Sequence, residues 1–418
     1  STNVNTLVNA VAQGGAGTIL VANLPKLSLT PQFRSPSGLA AAGLADAAAG
    51  NFNSTLLTKL SATAAARPGS NIIMMNLFRV GDAIAANPGQ FGLTNVTDAC
   101  FNGVTVCSNP DSYFYFDGVH PTAAGHALIA RLAVDYLYYG DIGAQAALQG
   151  ETVLRHRQDG LDAATDAFSG RSPWERGVSL TASAWGDNAT SEARGVVTNA
   201  SSDGWGARMA LEAGPSQNLR LGLAGTARMS DVESQSLYFT AESFGLDLYG
   251  GWRSGGLYVN GVVGVARDNI DDIERITSLA PVTHTASTTA VSAGARLAAG
   301  VWFDVGGLAV SPRAAVTWSS SAIDGYREQG VAARYLYEDQ DVSALTAEAS
   351  VRAQGEMSGL RFFGEAGYRG SLDDSSDPLR IGLYGNTARN LEREVEDPFG
   401  GQVLASAGVE GDVGPMIL

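Results

Sequence analysis

From about residue 176 onward, apolar and polar side chains alternate along the chain with a period of two. Trp205, Ala207, Met209 and Leu211 take one parity; Gly206, Arg208, Ala210 and Glu212 take the other. Val291 to Phe303, Leu308 to Trp318 and Leu345 to Val351 repeat the pattern, as do the segments near 178–186, 218–229, 237–252, 257–267, 360–369 and 403–410. Successive side chains of a strand point to opposite faces, so each segment predicts a strand with one apolar and one polar face. About ten segments of this kind occur, each near the ~9 to 11 residues of a tilted membrane strand.

The first 140 residues have another rhythm. Thr18 to Ala22 and Asn71 to Leu77 are short apolar runs of the kind that buried parallel strands show. Between them, Gly38 to Ala64 is rich in Ala and Leu and predicts a helix. Val4, Leu7, Val8 and Val11 give Ser1 to Gly14 the apolar face of an amphipathic helix rather than the layout of a signal peptide. Pro121 suits the first turn of a further helix, with Leu128, Ile129, Leu132 and Tyr136 as its apolar face. Gln145 to Phe168 predicts one more helix, but it lacks an apolar stripe and carries Arg155, His156, Arg157 and Asp159 at its middle. Such a helix is solvated or sits inside a polar channel.

Alternation alone also fits a soluble sandwich. Three features favour a membrane barrel. The polar parity mixes small residues with Arg and Glu, as a wet lumen would. Short turns (Gly214 to Gln217, Arg253 to Gly256, Glu356 to Gly359) alternate with longer polar loops (Asp187 to Asp203, Asp268 to Thr285, Ser319 to Asp341). Trp185, Trp252, Trp302, Trp318 and Tyr368 lie near strand ends, where a membrane girdle places aromatics. Mean hydropathy is only +0.01 at 45% hydrophobic residues, and no apolar run reaches the length of a membrane helix.

The net charge of −15 excludes nucleic acid as a natural partner, because phosphate binding needs a basic face. The two cysteines, Cys100 and Cys107, are either reduced thiols or a small disulfide; an outer-membrane setting, with its oxidising compartment, favours the disulfide. No cofactor or metal motif accompanies them, although the acidic run Asp268 to Glu274 has the composition of either a cation site or, more simply, a solvated loop.

The sharpest chemical signal is Phe116-Asp117-Gly118-Val119-His120-Pro121-Thr122. Asp117, three residues before His120, can turn back across Gly118 and hold one ring nitrogen, leaving the other to take a proton from a hydroxyl. Taken as a spacing alone, Asp-x-x-His fits equally an Asp that caps the following helix beside a surface His. The wider stretch, from Asn87-Pro88-Gly89-Gln90-Phe91-Gly92 through Cys100 and Cys107 to Tyr115-Phe116-Asp117-Gly118-Val119-His120-Pro121-Thr122-Ala123-Ala124-Gly125-His126, resembles the C-terminal half of GDSL (SGNH) esterases and lipases. That resemblance covers roughly residues 1 to 140. It implies a flavodoxin-like α/β fold and hydrolysis of carboxylic esters by Ser, His and Asp, with His120 as catalytic base and Asp117 as its orienting acid. His126 is expected to pack or to face solvent. The family's Gly-Asp-Ser nucleophile block and its Gly-x-Asn-Asp oxyanion block do not occur in these 418 residues.

Residues 141 to 418 resemble an autotransporter translocator, a pore-spanning helix followed by a twelve-stranded barrel. The expected architecture is therefore part of an SGNH α/β domain over 1–140, a linker helix in the barrel lumen over 141–172, and an antiparallel transmembrane β-barrel over 173–418. About ten of twelve strands are expected, with the chain stopping at Gly414-Pro415-Met416-Ile417-Leu418, where another strand should begin. The resemblance implies an outer-membrane location with the passenger at the cell surface. The expected partners are an ester or lipid substrate, outer-membrane lipid and the barrel-assembly machinery, with the chain acting as a monomer. A non-catalytic adhesion protein and a plain channel are the competing readings. His156 and His284 are expected to be solvated. Arg208, Glu212, Arg296, Arg313, Glu348, Arg352, Arg361 and Glu365 are expected to pair within the lumen or with the helix.

Overall fold

The computed structural model describes residues 1–418 apart from 172–173, 280, 358–359, 374–375, 396–398, 411, 414–415 and 418. The expected turn at 358–359 and most of the terminal Gly414 to Leu418 thus lie outside the described residues. The chain opens with α1 (Thr2–Gln13), β1 (Thr18–Ala22), α2 (Pro31–Arg34), α3 (Ala42–Ala66), β2 (Asn71–Met75), α4 (Leu77–Ala86), β3 (Asn95–Ala99), β4 (Tyr113–Tyr115) and α5 (Ala123–Leu137). β1 pairs in parallel with β2, as the two apolar runs flanking a helix predict, and β3 pairs in parallel with β4. α1 rests on α3. Of its expected face only Val8 is buried, with Ala12 beside it, while Leu7 and Val11 are 64% and 43% exposed, so the buried face is narrower than the periodicity suggested and shifted. On α5 the expected stripe holds: Leu128, Leu132 and Tyr136 are buried. Pro121 precedes the helix rather than entering it, because Thr122 is the cap and its hydroxyl accepts the N–H of Gly125.

After α6 (Tyr139–Gly143), α7 (Ala147–Asp166) runs into the barrel. The wall comprises β5 (Gly177–Ser191), β6 (Ala200–Ser216), β7 (Leu219–Ser234), β8 (Leu237–Ser254), β9 (Leu257–Ile276), β10 (Thr283–Val301), the short β11 (Phe303–Val305), β12 (Leu308–Ile323), β15 (Gln340–Met357), β16 (Leu360–Asp373) and β19 (Gln402–Glu410). Between them, β13 (Tyr326–Arg327), β14 (Tyr335–Tyr337), β17 (Leu379–Leu383) and β18 (Leu391–Arg393) form a separate four-stranded sheet. The long wall strands follow one antiparallel path from β5 to β19 in chain order, which is the up-and-down topology that successive hairpins dictate. The ten alternating segments correspond one to one with the ten long strands of that path.

Side chains sort by level along the wall. On β9, Leu257, Val259, Val263 and Val265 face outward, and above them Arg267, Asn269 and Asp271 do so. On β12 the outward face is apolar from Leu308 up to Trp318, and the next outward residue is Ser320. The apolar outward zone is the lipid belt, and the polar outward zone lies beyond it. Above the belt the inner face turns apolar: Phe239, Ala241, Ile270, Ile273, Ile323 and Val342 pack on Ala147, Leu148 and Val153 of α7. Within the belt the inner face is polar and charged. No described helix is long and apolar enough to cross a membrane.

α7 is buried on nearly every side, against β8, β9, β10, β12 and β15. Its polarity is matched by the wall. Arg157 pairs with Asp247, Asp159 with Arg228, Asp162 with both Arg296 (3.0 Å) and Arg369, and Asp166 with Arg313. Glu348 closes the network, at 3.0 Å from Arg296 and 2.7 Å from Arg369. Glu151 of α7 binds Arg155 and Arg194. A buried ion is tolerated only when it is paired and hydrogen-bonded, so this charge pattern fixes α7 in the lumen. His156 is not solvated: it is buried between the hydroxyls of Ser243 (2.8 Å) and Ser230 (2.9 Å), because the wall supplies polar partners that a free helix would find in water.

Three of the expected loops are shorter than their polarity implied. β9 continues to Ile276 and β10 begins at Thr283, so Asp268 is a buried strand residue bonded to the hydroxyls of Ser243 and Ser292 (2.5 Å) rather than part of a solvated loop. β5 likewise runs to Ser191, and β6 starts at Ala200. The segment between β12 and β15 holds β13 and β14. His284 is fully buried on β10, and its ring joins Glu328 (3.0 Å) to the backbone N–H of Ala332 (3.1 Å).

The four-stranded sheet docks on the α/β region. A single core holds Ile73, Met75, Val80, Leu132 and Tyr136 together with Tyr335, Tyr337, Leu379, Ile381 and Leu383. β2 is flanked on one side by β1. Along its other edge, Asn386 accepts the N–H of Met74 (3.0 Å) and donates to the Met74 carbonyl (2.8 Å), and the Thr387 hydroxyl donates to the carbonyl of Ile72 (2.6 Å). An edge that would template foreign strands is thus closed by side chains from the loop after β17.

Candidate active site

The segment after β4 is a tight loop held from three sides. The N–H of Phe116 donates to the His120 carbonyl (2.7 Å), the N–H of Gln32 to the Gly118 carbonyl (2.9 Å), and the N–H of Phe101 to the Phe116 carbonyl (2.6 Å). Below it, Thr122 binds twice to β4: its N–H donates to the carbonyl of Phe114 (2.8 Å) and its hydroxyl to that of Tyr113 (2.6 Å). Gly125 is required where α5 crosses β4, because a Cβ there would lie 2.6 Å from the Phe114 oxygen. Cys100 and Cys107 are joined in a disulfide. The Cys100 N–H donates to the Tyr115 carbonyl (3.0 Å), so the crosslinked loop braces the strand that delivers Asp117.

Asp117 bends back across Gly118. Its Oδ1 accepts the N–H of Val119 (2.9 Å) and of His120 (2.8 Å), and its Oδ2 lies 2.8 Å from Nδ1 of His120. A carboxylate can only accept, so Nδ1 carries the proton and Nε2 presents its lone pair. Among the described residues Nε2 has no hydrogen-bond partner, and the imidazole is 73% exposed. The backbone N–H groups of Val119 and His120, followed by the ring, hold the Asp117 carboxyl down at about 2. Asp117 therefore stays ionised at any pH above about 4. Mild acidification is therefore expected to leave the Asp117 carboxylate charged on its N–H donors; a titration of the Asp117 carboxyl carbon by NMR should show its step near pH 2. A midpoint near the ordinary carboxylate value would mean that the loop geometry is not populated.

His126, on α5, is exposed and does not join the pair. Among the described residues no group of three or more metal-ligating side chains assembles. The pairing of lumen charges such as Arg296, Arg313 and Glu348 was expected from charge at the inward parity of strands; the buried His284–Glu328 pair was not.

An up-and-down wall with a polar, ion-paired helix inside it, apolar outside and carrying an α/β unit on its outer loops, is the architecture of an outer-membrane translocator with its passenger. Residues 180–417, more than half of the chain, match the autotransporter beta-domain family model, and the chain belongs to that family. The β-domain accordingly lies in the outer membrane, and the passenger is exposed at the surface. Residues 1–133 match the model of the GDSL-like lipase/acylhydrolase. The chain is 26% identical to an uncharacterized protein in the trpE-trpG intergenic region of Pseudomonas putida, over 90% of this chain and 65% of that protein. It is 28% identical to a GDSL esterase/lipase of Arabidopsis thaliana, over 28% of this chain and 38% of the relative. The chain thus spans less than two thirds of the length of these relatives. Among solved structures, the translocator domain of autotransporter NalP from Neisseria meningitidis superposes with a TM-score of 0.52 at 15% identity, covering 63% of this chain and 87% of that one. That likeness concerns the fold of the barrel.

Proposed function

We propose that this chain belongs to a surface-displayed serine esterase or lipase, in which the barrel exports and anchors an α/β passenger that hydrolyses carboxylic esters. The observation that carries the reading is the Asp117–His120 pair, with Nδ1 held and Nε2 open to solvent at the carboxyl end of β4. In the reaction Nε2 takes the proton of a serine hydroxyl as that oxygen attacks the ester carbonyl, and returns it to the leaving alcohol. Asp117 keeps the tautomer and stabilises the imidazolium.

These 418 residues contain no Gly-Asp-Ser and no Gly-x-Asn-Asp. A base without its nucleophile and oxyanion donors does not turn over ester. The purified chain is therefore expected to release no p-nitrophenol from p-nitrophenyl esters above the rate of its His120→Ala variant. A His120-dependent rate would show that another hydroxyl of this chain serves as nucleophile. The second reading, a non-catalytic binding or adhesion passenger, is favoured by the absence of a hydroxyl partner on Nε2 among the described residues. Hydrolysis by the full-length gene product decides between the two. The working partners would be the ester substrate, outer-membrane lipid and the barrel-assembly machinery, with the chain acting as a monomer.

A further inference from the structure

An apolar cavity of about 310 Å³ opens beside the His120 loop, and no step described so far uses it. Val119 and Pro121, the neighbours of His120 in sequence, line it, and Val119 is 38% exposed. At the opposite extreme of burial, Leu132 and Leu279 are each 1% exposed and also line it. The cavity therefore runs from a mouth at Val119, next to His120 in sequence, to a buried apolar floor. Its walls come from segments that follow three strands at their carboxyl ends: Leu29 after β1, Leu77 after β2, and Val119 after β4. Crevices at the carboxyl ends of parallel strands are where α/β folds hold ligands.

The polar groups in the lining are few, and two of the strongest are already engaged. Lys26 Nζ is paired with Asp82 at 2.5 Å, and the Thr30 hydroxyl donates to the Leu27 carbonyl at 2.8 Å. Such a pocket offers dispersion and dryness rather than hydrogen bonds, which selects an unbranched hydrocarbon over a sugar or a charged group. The floor has a second distinction: Leu279 belongs to the loop between β9 and β10, so it is supplied by the barrel and not by the α/β region. That loop is tied to α5, because the N–H of Ser278 donates to Asp135 at 2.8 Å.

Resting on the esterase reading above, we infer that this cavity receives the aliphatic acyl chain of the ester substrate, and that Leu279 of the barrel sets the chain length it accepts. The passenger's specificity would then be completed by its own translocator.

Photolabelling tests this on the whole chain in outer-membrane vesicles, with a series of short, medium and long fatty acids that carry a terminal diazirine. Labelling that maps to peptides holding Leu132 and Leu279, and that is displaced by the unlabelled fatty acid, is the expected result. Leu279→Ala should extend by one or more carbons the chain that labels best, and Leu279→Trp should cut labelling by about tenfold, the scale on which apolar pockets discriminate. Both variants must keep the protease resistance of the parent chain. Labelling spread over the outward belt residues, unchanged by either variant, would overturn the proposal. Hydrolysis by the full-length gene product, measured in parallel, separates the two readings. A chain-length preference indifferent to Leu279 sinks the cavity and leaves the esterase. Displaceable cavity labelling without hydrolysis keeps the acyl site and sinks the esterase.

Discussion

In the full-length autotransporter, His120→Ala is expected to lower kcat for ester hydrolysis by about four orders of magnitude or more, the scale on which loss of the base in a Ser-His-Asp arrangement acts. The reason is local. His120 is the residue whose free Nε2 is aimed outward from the loop, and its neighbours offer no substitute base: His126 lies on α5, exposed and apart from the pair. Asp117→Ala should be comparably damaging but for two reasons at once. It releases the Nδ1 proton from its acceptor, and it also releases the N–H groups of Val119 and His120 that Oδ1 holds, so the loop itself loosens. Asp117→Asn can keep an acceptor for those N–H groups while losing the charge, so a smaller fall in Asn than in Ala would apportion the two. Export must be unaffected in all three, checked by surface protease accessibility, because the loop is remote from the lumen contacts of α7. A His120→Ala protein with hydrolysis within tenfold of the parent would remove His120 from the mechanism.

Much of this arrangement was legible beforehand, and the failures share a cause. The ten wall strands declared themselves because, within the lipid belt, outward residues such as Leu246, Leu248 and Val263 are apolar and inward ones such as Arg208 and Arg296 are polar. Above the belt the phase inverts. On β9, Arg267, Asn269 and Asp271 face out while Ile270 and Ile273 face in. A reader following one phase sees the strand end at Ala266 and a polar loop begin, although the sheet continues to Ile276. A register shift between Tyr238 and Thr240, opposite Asp271, and the positive φ of 50° at Asp272 blur the count further. The histidines fail for a related reason. His156 and His284 are flanked by polar residues, which reads as surface, but their partners Ser230, Ser243 and Glu328 lie far along the chain and come together only through strand register. The Asp117–His120 pair was legible because its partners are three residues apart, and a turn across glycine is enough to join them.

The second large effect concerns the junction of barrel and passenger. Arg275→Met is expected to destabilise the outer cap by about 3–5 kcal/mol, the cost of leaving the opposite buried charge without its partner. Arg275 is 2% exposed at the outer end of β9, where Nε and Nη2 grip the two oxygens of Glu328 at 2.6 and 2.7 Å. Its guanidinium lies over the Tyr335 ring at 3.7 Å and reaches toward Asp135 of α5, 4.0 Å away. Burial pushes the Glu328 carboxyl up, but Arg275, and then His284, outweigh it and hold it down at about 2. A carboxyl held below its unfolded value of about 4.3 contributes stability above that pH and loses it progressively as the pH falls toward 2. With Arg275 removed, the strongest opposition to burial is gone; a Glu328 carboxyl raised above its unfolded value then costs stability at neutral pH, and acidification relieves that cost instead of adding to it. Hydrogen exchange over α5 and β13–β14, followed from neutral to acid pH, reads both the size and the window. The double variant Arg275→Met with Glu328→Gln separates charge from packing: recovery of most of the lost protection identifies the orphaned carboxylate as the cause. Protection that stays within about 1 kcal/mol of the parent in the single variant would mean that the apolar contacts of Tyr335 and Ile381 hold the cap without the ion pair. Because Asp135 sits on the helix that Thr122 caps two residues after His120, loosening at Arg275 would also reach the base, and a fall in hydrolysis that tracks the exchange of α5 would show the barrel steadying the site it exports.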